Sequence, residues 1–164
     1  MKEGKVQIYT GKGKGKTTAA LGLCFRALGH DMSVFVFQFQ KGQTCGEHIE
    51  AERIGLPIIT CGCGRGSDPC QSPCPLVTKI KEILADEEPD ILVLDEIMAA
   101  IRRGCVSTEE ALEITELRPH GTEIIMTGRD APNELIEAAD LVTSMEPIKH
   151  YFKDGLKARE GIEY

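Results

Sequence analysis

Thr10-Gly11-Lys12-Gly13-Lys14-Gly15-Lys16-Thr17-Thr18 decides how the rest of the chain is read. An apolar, β-branched run, Val6 to Thr10, leads into it, and a helix-forming run, Thr17 to Leu28, leads out. Strand, glycine loop, Lys-Thr and helix are the context in which a phosphate-binding loop forms. Glycines let the backbone curl so that successive N–H groups face one point, forming a cradle for an anion. The free N–H groups and dipole of the following helix add positive character at the same place. In such a loop Lys16 reaches phosphate oxygens and the Thr17 hydroxyl takes a place on Mg²⁺. Gly11, Lys12, Gly13, Lys14, Gly15, Lys16, Thr17 and Thr18 are the candidate phosphate contacts. The usual spacing, G-x-x-x-x-G-K-[ST], asks for glycine where this chain has Thr10.

The first helix is apolar nearly all round, which predicts burial beside a sheet. Ser33 to Gln40 begins as a continuous apolar run and ends in alternation, as in a strand buried on both faces that emerges at its carboxyl end. Lys41 then lies where ligands sit in open α/β sheets, and it is a further candidate contact for the nucleotide. A short helix follows over Glu47 to Ile54. Leu56 to Thr60 reads as an edge strand because of Pro57, and Leu76 to Leu84 as an amphipathic helix.

Pro89-Asp90-Ile91-Leu92-Val93-Leu94-Asp95-Glu96 is the second anchor. Four apolar residues ending in acids read as a central strand that delivers carboxylates to the edge of the sheet opposite the loop. Glu96, supported by Asp95, is there to hold Mg²⁺ or its waters. Ile97 to Ile101 reads as helix. Ser107 with Glu110 has the spacing of a capping box at the start of another. Glu123 to Thr127 and Leu141 to Met145 read as strands, the last of them buried. Between them, Pro132 to Ala138 reads as a helix with proline in its first turn. Strands and helices alternate throughout, so the expected fold is α/β: a mostly parallel sheet flanked by helices in three layers.

With 164 residues and no internal repeat or linker, one domain over residues 1–164 is expected. The net charge of −7 argues against a nucleic-acid partner and makes the three loop lysines a local exception. Neither a secretory signal nor an apolar stretch long enough to span a membrane is present, so the cytoplasm is the expected compartment. The seven cysteines are then thiols or metal ligands rather than disulfides. Cys61, Cys63, Cys70 and Cys74 fall in the glycine- and proline-rich loop at 61–75, spaced C-x-C-x₆-C-x₃-C. Four thiolates could hold zinc or an iron–sulfur cluster. The spacing matches no standard signature, and free thiols are the alternative.

By themselves the residues describe a chain that binds a nucleoside triphosphate with Mg²⁺ and acts on it. Hydrolysis, phosphoryl transfer and attack elsewhere on the nucleotide all stay open, as does a nucleotide-binding regulator with the cysteines as metal or redox sensor. No general base is legible; His48, His120 and His150 stand in no motif.

The loop Thr10 to Ala20 resembles the phosphate-binding loop of the ATP:corrinoid adenosyltransferases of the RecA-like P-loop type. Gln38-Phe39 with Lys41-Gly42 is similar to that family's second-strand ending, and Leu94-Asp95-Glu96 to its acidic strand end. Thr127-Gly128-Arg129, Ala131-Pro132, Glu134 to Glu137, Ala139 to Thr143, Ile148-Lys149-His150 and the closing Gly161-Ile162-Glu163-Tyr164 resemble its C-terminal signature. The resemblance implies attack by Co(I) of a reduced corrinoid on the 5′ carbon of ATP, with triphosphate leaving. Lys16, Thr17 and Glu96 then carry the catalytic work, Thr17, Glu96 and Asp95 hold Mg²⁺, and Arg129 contacts phosphate or corrinoid. A homodimer and a flavoprotein or other reductant are implied as partners. Where the family carries an aromatic residue after Gly-Arg-Gly, this chain has Ser67, and it has no tryptophan. That is compatible with an acceptor lacking a lower cobalt ligand.

Overall fold

A computed structural model describes residues 3–63 and 73–164. The elements in chain order are β1 (Val6–Thr10), α1 (Lys16–Leu28), β2 (Val34–Gln38), α2 (Gly46–Ile54), β3 (Ile58–Thr60), α3 (Pro75–Asp86) and β4 (Ile91–Asp95). They continue with α4 (Ile97–Arg102), α5 (Thr108–Leu117), β5 (Glu123–Thr127), α6 (Asn133–Ala138) and β6 (Leu141–Ser144), then a 3₁₀ turn at Tyr151–Asp154. The six strands form one sheet in the order β3-β2-β4-β5-β1-β6, and every pairing is parallel. This is the three-layer α/β architecture that the alternation of elements implies.

The continuous apolar runs of β2 and β4 have a direct cause: side chains alternate between faces, and both faces are covered. Phe37, Leu92, Leu94, Ile124 and Met126 bury against α3, α4 and α5 on one side. Val34, Val36, Ile91, Val93 and Ile125 bury against α1 and α2 on the other. At about 25 cal/mol per Å² of apolar surface, this two-sided burial is the main stabilising contribution. Ser107 accepts from the Glu110 N–H at 3.1 Å while the Glu110 carboxylate accepts from the Ser107 N–H at 2.7 Å, so the capping box forms as read. Pro57 precedes β3, which lies at the sheet edge as expected.

Two readings need correction. β6 is not buried; all four of its residues are exposed, because it is the other edge strand and presents Leu141 and Val142 outward. The helix α1 is not buried all round. Ala20, Cys24 and Ala27 face the sheet, whereas Phe25 is 73% exposed. A helix in an outer layer covers the sheet with one stripe, whatever the composition of its far side.

The exit from β5 is tight. Gly128 has φ +143°, and a Cβ there would lie 2.5 Å from the Met98 Cβ on α4. Gly128→Ala is expected to destabilise the fold by about 3 kcal/mol, through overpacking and backbone strain together. A urea midpoint unchanged from wild type would refute this.

Candidate active site

The phosphate-binding loop curls between β1 and α1 through two left-handed glycines, Gly11 at φ +91° and Gly15 at φ +115°. Its glycines have a packing reason as well. A Cβ on Gly11 or Gly13 would lie 2.5 or 2.6 Å from the carbonyl oxygen of Met145, which accepts from the Gly13 N–H at 2.6 Å. Thr10, standing where a glycine is usual, remains in strand and pairs with Ser144. The altered spacing therefore shifts the curl to begin after Thr10.

Lys16 is 7% exposed, and its Nζ donates to the carbonyls of Gly11 and Gly13 at 2.8 and 2.7 Å. Burial pulls this ammonium below its ordinary pKa, Glu96 opposes that shift, and Arg129 adds to it. Glu96 and Arg129 are thus close enough to act on the charge at the centre of the loop.

Across the loop stands Asp95. Its Oδ1 accepts from the Thr17 hydroxyl at 2.9 Å and from the Thr127 hydroxyl at 2.6 Å, and its Oδ2 accepts from Gln38 Nε2 at 3.1 Å. The carboxylate is 4% exposed. Parallel register explains the cluster: Gln38 pairs with Asp95, and Leu94 with Met126, so Thr127 comes beside Asp95 on the next rung. Glu96 leaves the strand in a left-handed turn at φ +60°, and its N–H donates to Thr127 Oγ1 at 2.9 Å. Asp95 is thus in direct contact with Thr17, and Glu96 follows it at the turn out of the strand.

Sequence reasoning missed Gln38 and Thr127 as parts of this site. Gln38 was visible as the end of a strand, but its contact with Asp95 depends on register between segments 57 residues apart. Gln38 Oε1 is buried with no partner among the described residues. Nearby, the Glu47 carboxyl lies below its ordinary pKa: burial pushes it up, and the Lys41 ammonium, with hydrogen bonding to the carboxylate, outweighs that.

Lys41 is not brought to the loop. Its Nζ bonds Glu47 Oε1 at 2.7 Å, beside a cavity of about 340 Å³ that His48, Thr60 and Gly62 also line. Among the described residues no hydrogen bond or ion pair joins it to the loop.

Cys24, Cys45, Cys61, Cys63 and Cys105 are free thiols among the described residues. Cys61 Sγ accepts from the Gln40 N–H at 3.1 Å, the Cys63 thiol faces the Cys61 carbonyl at 3.6 Å, and Cys74 is buried at the start of α3. Among the described residues these three do not gather their sulfurs into one ligand set; Cys70 lies outside those residues. The set that does close within 4.8 Å is Cys45, Glu47 and His48. Two of its groups are already engaged, His48 Nδ1 accepting from the Cys45 N–H at 2.9 Å as a helix cap and Glu47 holding Lys41, while His48 Nε2 is buried without a partner among the described residues.

The family model for the ATP:corrinoid adenosyltransferases BtuR/CobO/CobP matches residues 2–164. The chain belongs to this family. A corrinoid adenosyltransferase from Sinorhizobium sp. is 39% identical over 99% of this chain and 81% of its own length. The corrinoid adenosyltransferase of Escherichia coli K12 is 34% identical, and corrinoid adenosyltransferase CobA of Salmonella typhimurium 35%, each over 98% of this chain and 86% of its own. Among solved structures, flagellar accessory protein FlaH from Methanocaldococcus jannaschii superposes with TM-score 0.61 at 15% identity. The match covers 88% of this chain and 72% of that one, a likeness of fold alone. Against the corrinoid adenosyltransferase family, the loop, the acidic end of β4 and Thr127-Gly128-Arg129 all converge on one end of the sheet in this structure. No helix among the described residues is long and apolar enough to cross a membrane.

Proposed function

We propose that this chain transfers the adenosyl group of ATP to the Co(I) centre of a reduced corrinoid. The bond from C5′ to the triphosphate oxygen breaks, a cobalt–carbon bond forms with the electron pair from Co(I), and triphosphate leaves. The observation that carries the reading is the Thr17–Asp95 contact opposite a buried Lys16, in a chain of the adenosyltransferase family.

The work left to the protein is alignment and charge stabilisation on the departing triphosphate. The backbone N–H groups from Gly11 to Thr18, apart from the Gly13 N–H that donates to Met145, bind the phosphate tail together with the Lys16 ammonium, with Lys12 and Lys14 adding charge at its rim. Arg129, which already acts on Lys16, is assigned to phosphate. Thr17, Asp95 and Glu96 offer the hydroxyl and carboxylate oxygens that suit Mg²⁺, which when bound neutralises charge on the leaving group. No general base is needed, since reduced cobalt is itself the nucleophile. In keeping with this, His48 and His150 serve as caps of a helix and of a 3₁₀ turn.

The same reading includes a cytoplasmic setting, a homodimer, and a flavoprotein or other reductant that supplies Co(I). Sedimentation of the purified protein tests the dimer. The deciding experiment is anaerobic incubation with ATP, Mg²⁺ and a chemically reduced corrinoid. The visible spectrum of an alkylated corrinoid together with stoichiometric triphosphate is expected. ADP and phosphate without alkylation would overturn the reading.

A further inference from the structure

The closing Gly161-Ile162-Glu163-Tyr164 plays no part in the chemistry above, yet it reaches the phosphate-binding loop. Lys14 Nζ donates to the carbonyl of Ile162 at 2.8 Å and faces Glu163 Oε1 at 3.5 Å. Glu163 is gripped from its other side. The Arg159 N–H donates to Oε2 at 2.8 Å, its guanidinium reaches Oε1 at 3.3 Å, and the Tyr151 hydroxyl donates to Oε1 as well. The Arg159 guanidinium lies over the Tyr151 ring, 4.9 Å from its centre. Arg159 and then Tyr151 hold the Glu163 carboxyl down at about 2, so it is an anion throughout the working range of pH.

The loop's cations are therefore divided. Lys16 is folded into the cradle, and Lys14 is drawn outward by a fixed carboxylate of the tail. A triphosphate arriving at the loop must draw Lys14 from that carboxylate, and it feels the same carboxylate as a repelling charge. Resting on the reading of the loop as a triphosphate site, we propose that Glu163 is a positioning residue: it competes with the phosphate tail for Lys14 and so sets the affinity for nucleotide. A simple bracing role for the tail predicts the opposite sign, because loss of a brace loosens the loop. Partly exposed ion pairs couple weakly, so the expected effect is about fivefold.

The test is calorimetric titration of inorganic triphosphate, and separately of ATP, each with Mg²⁺, into the full chain. Wild type, Glu163→Gln, Glu163→Ala, Lys14→Ala and the Lys14→Ala/Glu163→Gln double variant are compared, with thermal melts to show that each is folded. Both Glu163 variants are expected to bind about fivefold more tightly than wild type. The gain shrinks as salt screens the charges, and it vanishes in the Lys14→Ala background. Equal or weaker binding by both Glu163 variants, or a gain that persists without Lys14, overturns the inference. A wild-type protein that binds neither probe overturns the loop reading and this inference together. Triphosphate binding without adenosyl transfer would count against the proposed reaction alone.

Discussion

Lys16→Ala is expected to lower adenosyl transfer by at least about a hundredfold, and up to about a thousandfold, while the protein stays folded. The scale is that of removing one preorganised group which stabilises charge on a reacting centre. Lys16 is nearly buried, and its ammonium lies against the two loop carbonyls that flank the cradle. No second buried cation among the described residues stands there to replace it. The fold should tolerate the change, because the side chain that is removed is a partly desolvated charge rather than packing for the core. Lys16→Arg should rescue poorly: the planar guanidinium is larger and needs a fork of acceptors where the loop offers two carbonyls. Turnover measured with reduced corrinoid and saturating ATP checks the result. More than about a tenth of wild-type activity in Lys16→Ala would contradict the assignment.

Asp95→Ala is expected to lose both turnover and stability, whereas Glu96→Ala loses turnover alone. Asp95 accepts from Thr17, Thr127 and Gln38 at the buried end of β4. Its removal leaves three donors without an acceptor and opens the space beneath the loop. An unsatisfied buried donor costs about 1–3 kcal/mol, and relaxation of the two hydroxyls recovers part of it. A net loss of about 3 kcal/mol is expected. Glu96 is only half-buried and lies beyond the strand end, so its removal is expected to be felt mainly at the nucleotide. The pair of variants separates the two acids through urea unfolding and Mg²⁺-dependent turnover. An Asp95→Ala protein as stable as wild type, or a fully active Glu96→Ala protein, would refute these roles.

Much of the site was readable because its signals are local. Glycine spacing, the Lys-Thr pair and the helix that follows lie within a few residues of one another, and each speaks through dihedral freedom or hydrogen-bonding groups on adjacent residues. The end of β4 was readable for the same reason: four apolar residues and then two acids describe a strand that is buried along its length and polar at its tip. What could not be read were relations between segments. Gln38 and Thr127 belong to the site through the registers of β2 and β5 against β4, and periodicity within a segment says nothing about the rung on which it pairs. Lys41 shows the same limit. Its place after β2 puts it at the expected end of the sheet, but its ion pair with Glu47 in the first turn of α2 is a contact that the sequence does not display.

From sequence alone came the phosphate-binding loop with Lys16 and Thr17, the alternation of strands and helices, and the acids at the tip of an apolar strand. Each is written in neighbouring residues, where composition and spacing act directly on backbone conformation. The tertiary structure alone decided three things. It inserted β5 between β1 and β4. It placed the Asp95 carboxylate in hydrogen-bond contact with Thr17. It laid the chain's last residues against Lys14. Those outcomes depend on which faces bury together and which polar groups find partners across the sheet. That balance is struck among residues far apart in the chain, and no stretch of sequence displays it.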